Sequence, residues 1–229
     1  MIGEAGWVAL KLSLWVSSLA TILALPLAIW VAWLLARRQF FGHAILNALV
    51  HLPLVLPPVV TGYALLLLFG RNGPIGQVLE QTLGLVLAFR WPGAVLAAMV
   101  MAFPLMVRAI RLAIEAVDPK LEAAAETLGA SRPTVFATVT LPLILPGVLA
   151  GSVMGFAKAV GEFGATITFV ANIPGQTQTI PSAIYTLLQV PGGEAQAAAL
   201  AVAAATLAVA AVLISEWLAR RTANKIANG

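Results

Sequence analysis

The chain has 229 residues, 61% of them hydrophobic and only 10% charged, with a mean hydropathy of +0.97. Soluble domains carry about 25% charged residues, so this composition excludes a water-soluble globular domain and makes the bilayer the solvent in which the fold is built. The net charge of +4 does not point to nucleic acid, because the basic residues gather at the ends of apolar runs. The absence of cysteine removes disulfide, iron–sulfur and thiolate-zinc frameworks, and His43 and His51 are too few for a histidine-rich metal site.

The first apolar run, about residues 8–36, exceeds the ~20 residues needed to cross a bilayer. It is too long for a signal peptide and has no basic segment before it, so no cleavable leader is expected. Lys11 can snorkel and Pro26 can kink it. Arg37 and Arg38 follow directly and place that end in the cytoplasm by the positive-inside rule, leaving the N-terminus outside. The second span, about 44–69, contains HLPLVLPPVVTGY, with Pro53, Pro57 and Pro58 inside an apolar run. Each proline removes a helical hydrogen bond, and broken backbone at membrane depth is tolerated only where protein or a water-filled cavity covers it. Two readings stand: a break that lines a pathway, with Thr61 and Tyr63 offering hydroxyls, or a proline-kinked packing helix. Residues 70–92, with Arg71, Glu80 and Arg90, are too polar to cross and form an external loop, with a short helix near Ile75 to Leu83. The third span, about 93–110, ends in Arg108 and Arg111, again inside.

A polar island follows, DPKLEAAAETLGASRPTVFATVTLPLILP, from Asp118 to Pro146. Asp118 can cap a helix that Pro119 opens. Leu121 to Leu128 propagate it, and Gly129 suits a left-handed terminator. Ser131 and Pro133 can open a second short helix that runs into Leu141–Pro142. The expectation is a cytoplasmic helix–turn–helix over residues 111–142. Ala123, Ala124 and Ala125 leave one side of it smooth between the charged shoulders Lys120, Glu122, Glu126 and Arg132, a shape that fits another protein's groove.

The fourth span, about 143–169, carries Gly147, Gly151 and Gly155 on one face, a stripe that permits close helix approach. Further along, Lys158 and Glu162 stand four apart and can pair. Ionisable residues inside membrane segments are candidates for function, although a mutually neutralised pair can equally be structural. Residues 170–196 carry turn signals at Asn172, Pro174–Gly175 and Pro191–Gly192–Gly193, and their middle, Ile180 to Val190, can dip back as a short helix. The fifth span, about 197–218, is followed by Arg220, Arg221 and Lys225. Of the 13 basic residues, nine (Arg37, Arg38, Arg108, Arg111, Lys120, Arg132, Arg220, Arg221, Lys225) fall in the segments assigned to the inside. The fold class expected is an all-α polytopic bundle of about five spans, a single transmembrane domain with the N-terminus outside and the C-terminus cytoplasmic.

The island's pattern is specific: Ala124–Ala125, three residues, Gly129, nine residues, Val139, one residue, Leu141–Pro142. It resembles the EAA loop of bacterial ABC importer permeases, although the acidic first position is Ala123 here, flanked by Glu122 and Glu126. Residues 51–63, 103–118, 121–132 and 161–185 together resemble the permease family of molybdate ABC importers, and these blocks span nearly the whole chain. The resemblance implies the type I importer fold in an inner membrane and a homodimer with two ATPase subunits inside. It also implies a periplasmic molybdate-binding protein outside, and a coupling role for the island. Relatives with six spans exist; here no room for an extra N-terminal helix is expected.

No nucleophile elbow, zinc-protease motif or phosphate-binding GK loop is present, so no catalytic residue is assigned. This chain is expected to bind no ATP, metal or other cofactor, with ATP and Mg bound in the partner ATPase. A pathway for a tetrahedral dianion should offer hydroxyls and backbone N–H groups without tight charge pairing. The candidates are Pro57, Pro58, Thr61, Tyr63, Ser152, Lys158, Glu162, Thr166 and Thr168. Two alternatives remain: a sulfate or related oxyanion permease, and more remotely an ATP-independent carrier or channel.

Overall fold

The computed structural model describes residues 3–227, with side chains to Ile214 and that of Trp217. Eleven α-helices are described: α1 (Glu4–Arg37), α2 (His43–Val55), α3 (Pro58–Phe69), α4 (Pro74–Leu83), α5 (Trp91–Glu115), α6 (Pro119–Thr127), α7 (Arg132–Val135), α8 (Leu141–Val160), α9 (Gly164–Val170), α10 (Ile180–Leu187) and α11 (Glu194–Ala227). A π turn, Phe136–Thr140, joins α7 to α8. Among the described residues there is no strand. Four helical stretches are long and apolar enough to cross a membrane, and the bent pair α2–α3 is a fifth if counted as one span.

The central member is α5, and small side chains explain why its neighbours lie so close. Helix α1 buries Ala9, Ser13, Val16, Ala20, Ala24, Ala28, Ala32 and Leu35, a stripe repeating every three or four residues. It runs parallel to α5, whose Ala94, Ala97, Ala98, Met101 and Ala102 join the same core near one end, with Met106, Val107, Ile110 and Ile114 near the other. The opposite face of α1, with Trp7, Trp15, Ile22, Leu23, Leu27 and Trp30, is bare and apolar. That is the division expected of a helix with protein on one side and lipid on the other.

Helix α8 returns antiparallel along α5, and the glycine stripe lies in the seam. A Cβ added to Gly147 would sit 2.2 Å from Ala113 Cβ, and one added to Gly155 would sit 2.6 Å from Met106 Cγ. Without hydrophobic drive between lipid-immersed helices, this backbone approach supplies the dispersion contact that holds them.

The second span is broken at its prolines, as one of the two readings had it: α2 and α3 meet at Leu56–Pro57 with a bend of 116°, because Pro57 and Pro58 forfeit consecutive ladder donors. Two expectations need correcting. The fourth span does not run to residue 169; α8 stops at Val160, and α9 restarts at Gly164 after a turn. The island's second helix does not end at Leu141–Pro142 either. Residues 132–160 form one continuous helical rod through the π turn. Pro142 has no N–H, and its ring crowds the carbonyl four residues back. The ladder widens there, with Leu141 N–H donating to Phe136 O.

The short helix expected in the outer loop is present as α4, and the 170–196 stretch contains α10. Ile180 N–H donates to the buried Ser13 hydroxyl at 2.7 Å, so α10 is tied directly to α1. Arg220 and Arg221 lie in α11, but their side chains and that of Lys225 are outside the described residues.

Candidate functional site

Helix α6 forms as its sequence dictates. The Asp118 carboxylate accepts from Lys120 N–H at 2.9 Å, Pro119 opens the first turn, and Gly129 takes φ +88°. A left-handed residue there costs nothing only if it lacks a Cβ. The turn closes with Ala130 N–H donating to Ala125 O at 3.1 Å.

The charged shoulders do not behave alike. Glu122 is turned inward, toward the bundle. Its Oε2 lies 3.1 Å from Arg37 Nε, and its Oε1 accepts from Thr140 Oγ1 at 2.7 Å. Arg37 Nη2 also donates to Val117 O at 3.0 Å. One carboxylate therefore joins the end of α1, the start of α6 and the π turn. Glu126 stays at the surface, 3.6 Å from the exposed Arg132. Beside the alanines, an exposed apolar face carries Leu121, Ala124 and Leu128, three and four residues apart; Leu128 is 89% exposed, and no part of the described chain covers it. Ala123 is exposed and Ala125 half-buried; Val139 and Leu141 are half-buried at the π turn, and Pro142 is exposed.

A second constellation lies where the two broken helices meet. Helix α3 packs on α9 so tightly that a Cβ on Gly62 would fall 2.5 Å from Ala165 O, and one on Gly164 would fall 2.7 Å from Pro58 Cβ. Between α8 and α9 sits Glu162, whose side chain is 1% exposed. Its Oε2 pairs with Lys158 Nζ, and its Oε1 accepts from Ala165 N–H at 3.0 Å, capping the restarted helix. The predicted i,i+4 pair is therefore present, and it spans the break.

The hydroxyl candidates are dispersed. Thr61 is buried, with no hydrogen-bond partner for its Oγ1 among the described residues, while Tyr63, two residues on, is exposed. Pro57 and Pro58 are exposed at the bend, and Thr166 is buried. Ser152 and Thr168 donate back to Val148 O and Gly164 O within their own helices; their oxygens keep acceptor capacity and no free proton. Thr61, Thr166 and Thr168 belong to the packed pair α3–α9, whereas Ser152 stands on α8.

Arg37 and Thr140 were not among the sequence candidates. Arg37 was legible as a topological marker, but its partner lies 85 positions away, and no local periodicity encodes that. Thr140 sits beside the family pattern without belonging to it.

The family described as "Binding-protein-dependent transport system inner membrane component" matches residues 24–224. The molybdenum transport system permease proteins ModB of Escherichia coli K12 and Haemophilus influenzae are 62% and 58% identical to this chain, each alignment covering 96% of both partners. The sulfate transport system permease protein CysT of Salmonella typhimurium is 36% identical over 79% of this chain and 65% of its own. Among solved structures, a bacterial ABC transporter involved in alginate import superposes with a TM-score of 0.76, at 20% identity over 96% of this chain and 80% of that one. The MetNI methionine ABC transporter gives 0.68, at 16% identity over 96% and 94%. These two show the fold, that of ABC importer membrane subunits. The chain belongs to the binding-protein-dependent transport system inner membrane components.

Proposed function

We propose that this chain is the membrane-spanning permease of an ATP-driven importer of molybdate, with tungstate as an isosteric second substrate. Two copies would form the pathway in a bacterial inner membrane, with the N-terminus of α1 on the periplasmic side. A periplasmic binding protein would deliver the oxyanion, and two ATPase subunits holding ATP and Mg would dock on α6. The observation that carries the mechanism is the uncovered face of Leu121, Ala124 and Leu128, set on a helix bolted to the rest of the chain through Glu122. A groove closing on that face on ATP binding would move α6, and with it the rod 132–160 and α1, as rigid bodies. The substrate reading rests on the high identity to molybdenum permeases over nearly the whole chain.

The candidate pathway lies at the α3–α9 contact, where Pro57, Pro58, Thr61, Thr166 and Thr168 surround two helix restarts. Broken backbone there presents polar groups to an ion without fixing it by a counter-charge. Lys158 and Glu162 would hold that geometry by neutralising each other. Membership of a binding-protein-dependent family argues against a stand-alone carrier. The sulfate alternative retains one support, the 36% identity to a sulfate permease.

The test is ATP hydrolysis by the complex reconstituted in liposomes, with its binding protein loaded in turn with molybdate, tungstate or sulfate. Stimulation by the first two alone is expected. Stimulation by sulfate would move the assignment to the sulfate importers, and failure of any ATPase to co-purify would remove the coupling role of α6.

A further inference from the structure

At the coupling end of the bundle, α2 and α5 flank an open polar cavity of about 330 Å³ lined by Asn47, His51, Arg108, Arg111, Leu112 and Glu115. Most other cavities of this surface are walled by apolar side chains. Asn47 and His51 are four apart on α2, and Arg108, Arg111 and Glu115 fall on one stripe of α5, so each helix contributes one polar face to the same space. That stripe lies across α5 from the seam with α8, which uses Met106, Ala109 and Ala113.

The charges are unequal. Arg111 is held by the Glu115 carboxylate, with Nε 2.7 Å from Oε1, and donates through Nη1 to Asn47 Oδ1 at 3.1 Å. His51 Nδ1 lies 2.8 Å from Asn47 O, which leaves Nε2 as the ring's other polar atom. Arg108 is exposed and makes no ion pair or hydrogen bond among the described residues. Two guanidiniums thus face one carboxylate, and the surplus positive charge is Arg108. It sits seven residues before the end of α5, about 10 Å at 1.5 Å per residue. Exposed and unpaired at the inner end of its span, this guanidinium is open to an anion or to water.

We infer that this cavity is an inner-side station for the transported oxyanion, with Arg108 supplying the attraction and the Asn47–Arg111–Glu115 network fixing the wall. The inference rests on the reading of the chain as an oxyanion permease. The chemistry fits a tetrahedral dianion: one unpaired guanidinium offers a planar fork of donors, and the neighbouring carboxylate keeps the hold weak enough for release. The station gives the ion a place to stand after it passes the helix breaks, and so disfavours its return.

The test uses the whole complex with its ATPase and binding protein, in phosphatidylcholine vesicles with and without phosphatidylglycerol. Radiolabelled molybdate uptake and stimulated ATP hydrolysis are measured together. Arg108→Gln is expected to lower the ions moved per ATP about fivefold in both lipid compositions, and Arg108→Lys to restore at least half of that ratio. An unchanged ratio in Arg108→Gln would overturn the inference, as would uptake and hydrolysis falling in parallel. A deficit confined to vesicles with anionic lipid would overturn it too, by making the cavity a headgroup site. If the wild-type complex moves sulfate and not molybdate, the substrate reading fails instead, and the same ratio is measured with sulfate.

Discussion

The coupling loop and the break between α8 and α9 both interrupt apolar helices, and they are held in opposite ways. In the loop, α6 buries none of its residues. Its tie to the bundle is a few polar contacts around a half-buried carboxylate, with water available to any group that lets go. At the break, a carboxylate with 1% exposure holds a lysine and a helix N-terminus at once, and no water replaces either partner cheaply. On the proposed mechanism the loop is the part that a partner moves, and the break is the part that holds its shape.

Three substitutions sharpen this contrast. The largest effect is expected at the break. Glu162→Gln leaves Lys158 without its counter-charge in a largely buried site and weakens the cap on α9, so folding should lose about 3–5 kcal/mol. Thermal unfolding in detergent would read this as a clear fall in the melting temperature. Glu162→Gln combined with Lys158→Met should recover part of the loss, and no recovery would show that the two residues do not act as a pair. Next comes Gly129→Leu. A side chain at φ +88° costs about 1–2 kcal/mol, spent in a loop that the bundle does not need. The variant should reach the membrane and melt near the wild-type temperature while uptake falls at least tenfold; normal uptake would count against α6 as the coupling helix. The smallest effect is expected for Glu122→Gln, which keeps a partner for Thr140 but loses the charge facing Arg37. Because Gln keeps the hydrogen bond to Thr140 and only the charge term to Arg37 is lost, at side chains 16% and 19% exposed, the change is worth about 1 kcal/mol, so stimulated hydrolysis and uptake should fall only two- to threefold. A complete loss would mean that the link is more than a brace.

Much of the architecture was legible in the sequence because membrane folds are constrained by length and by small-residue spacing. The all-helical class with four to five apolar stretches, the Asp118 cap, the left-handed Gly129 and the glycine seam all follow from local chemistry, and each is present. What was not legible depends on distance or on competition between neighbours. The stop at Val160 could not be read from composition, since Gly161, Glu162 and Gly164 permit a break without dictating one; Glu162, by capping α9, fixes where the helix restarts. The inward turn of Glu122 depends on Arg37, from a different span. The continuity of residues 132–160 depended on whether Pro142 would end the helix or only widen a turn, and the π turn is the second outcome. The dispersal of the hydroxyls follows from the same limit, since Ser152 and Thr168 satisfy their own helix carbonyls when no ion is at hand.

The glycine seam between α5 and α8 bears on how the protein is made. The two helices are sequence neighbours joined by the coupling loop, so α8 leaves the ribosome when α5 is already available to receive it. The contact is backbone against side chain, with almost nothing to rearrange, and a hairpin can close before α11 has been synthesised. Two later steps then have a finished surface to use: α9 folds against α3 and α5, and α11 lays its small residues along α8. The helix break, the turn with α10 and the last span are thus the segments that arrive last, after the scaffold that receives them is in place.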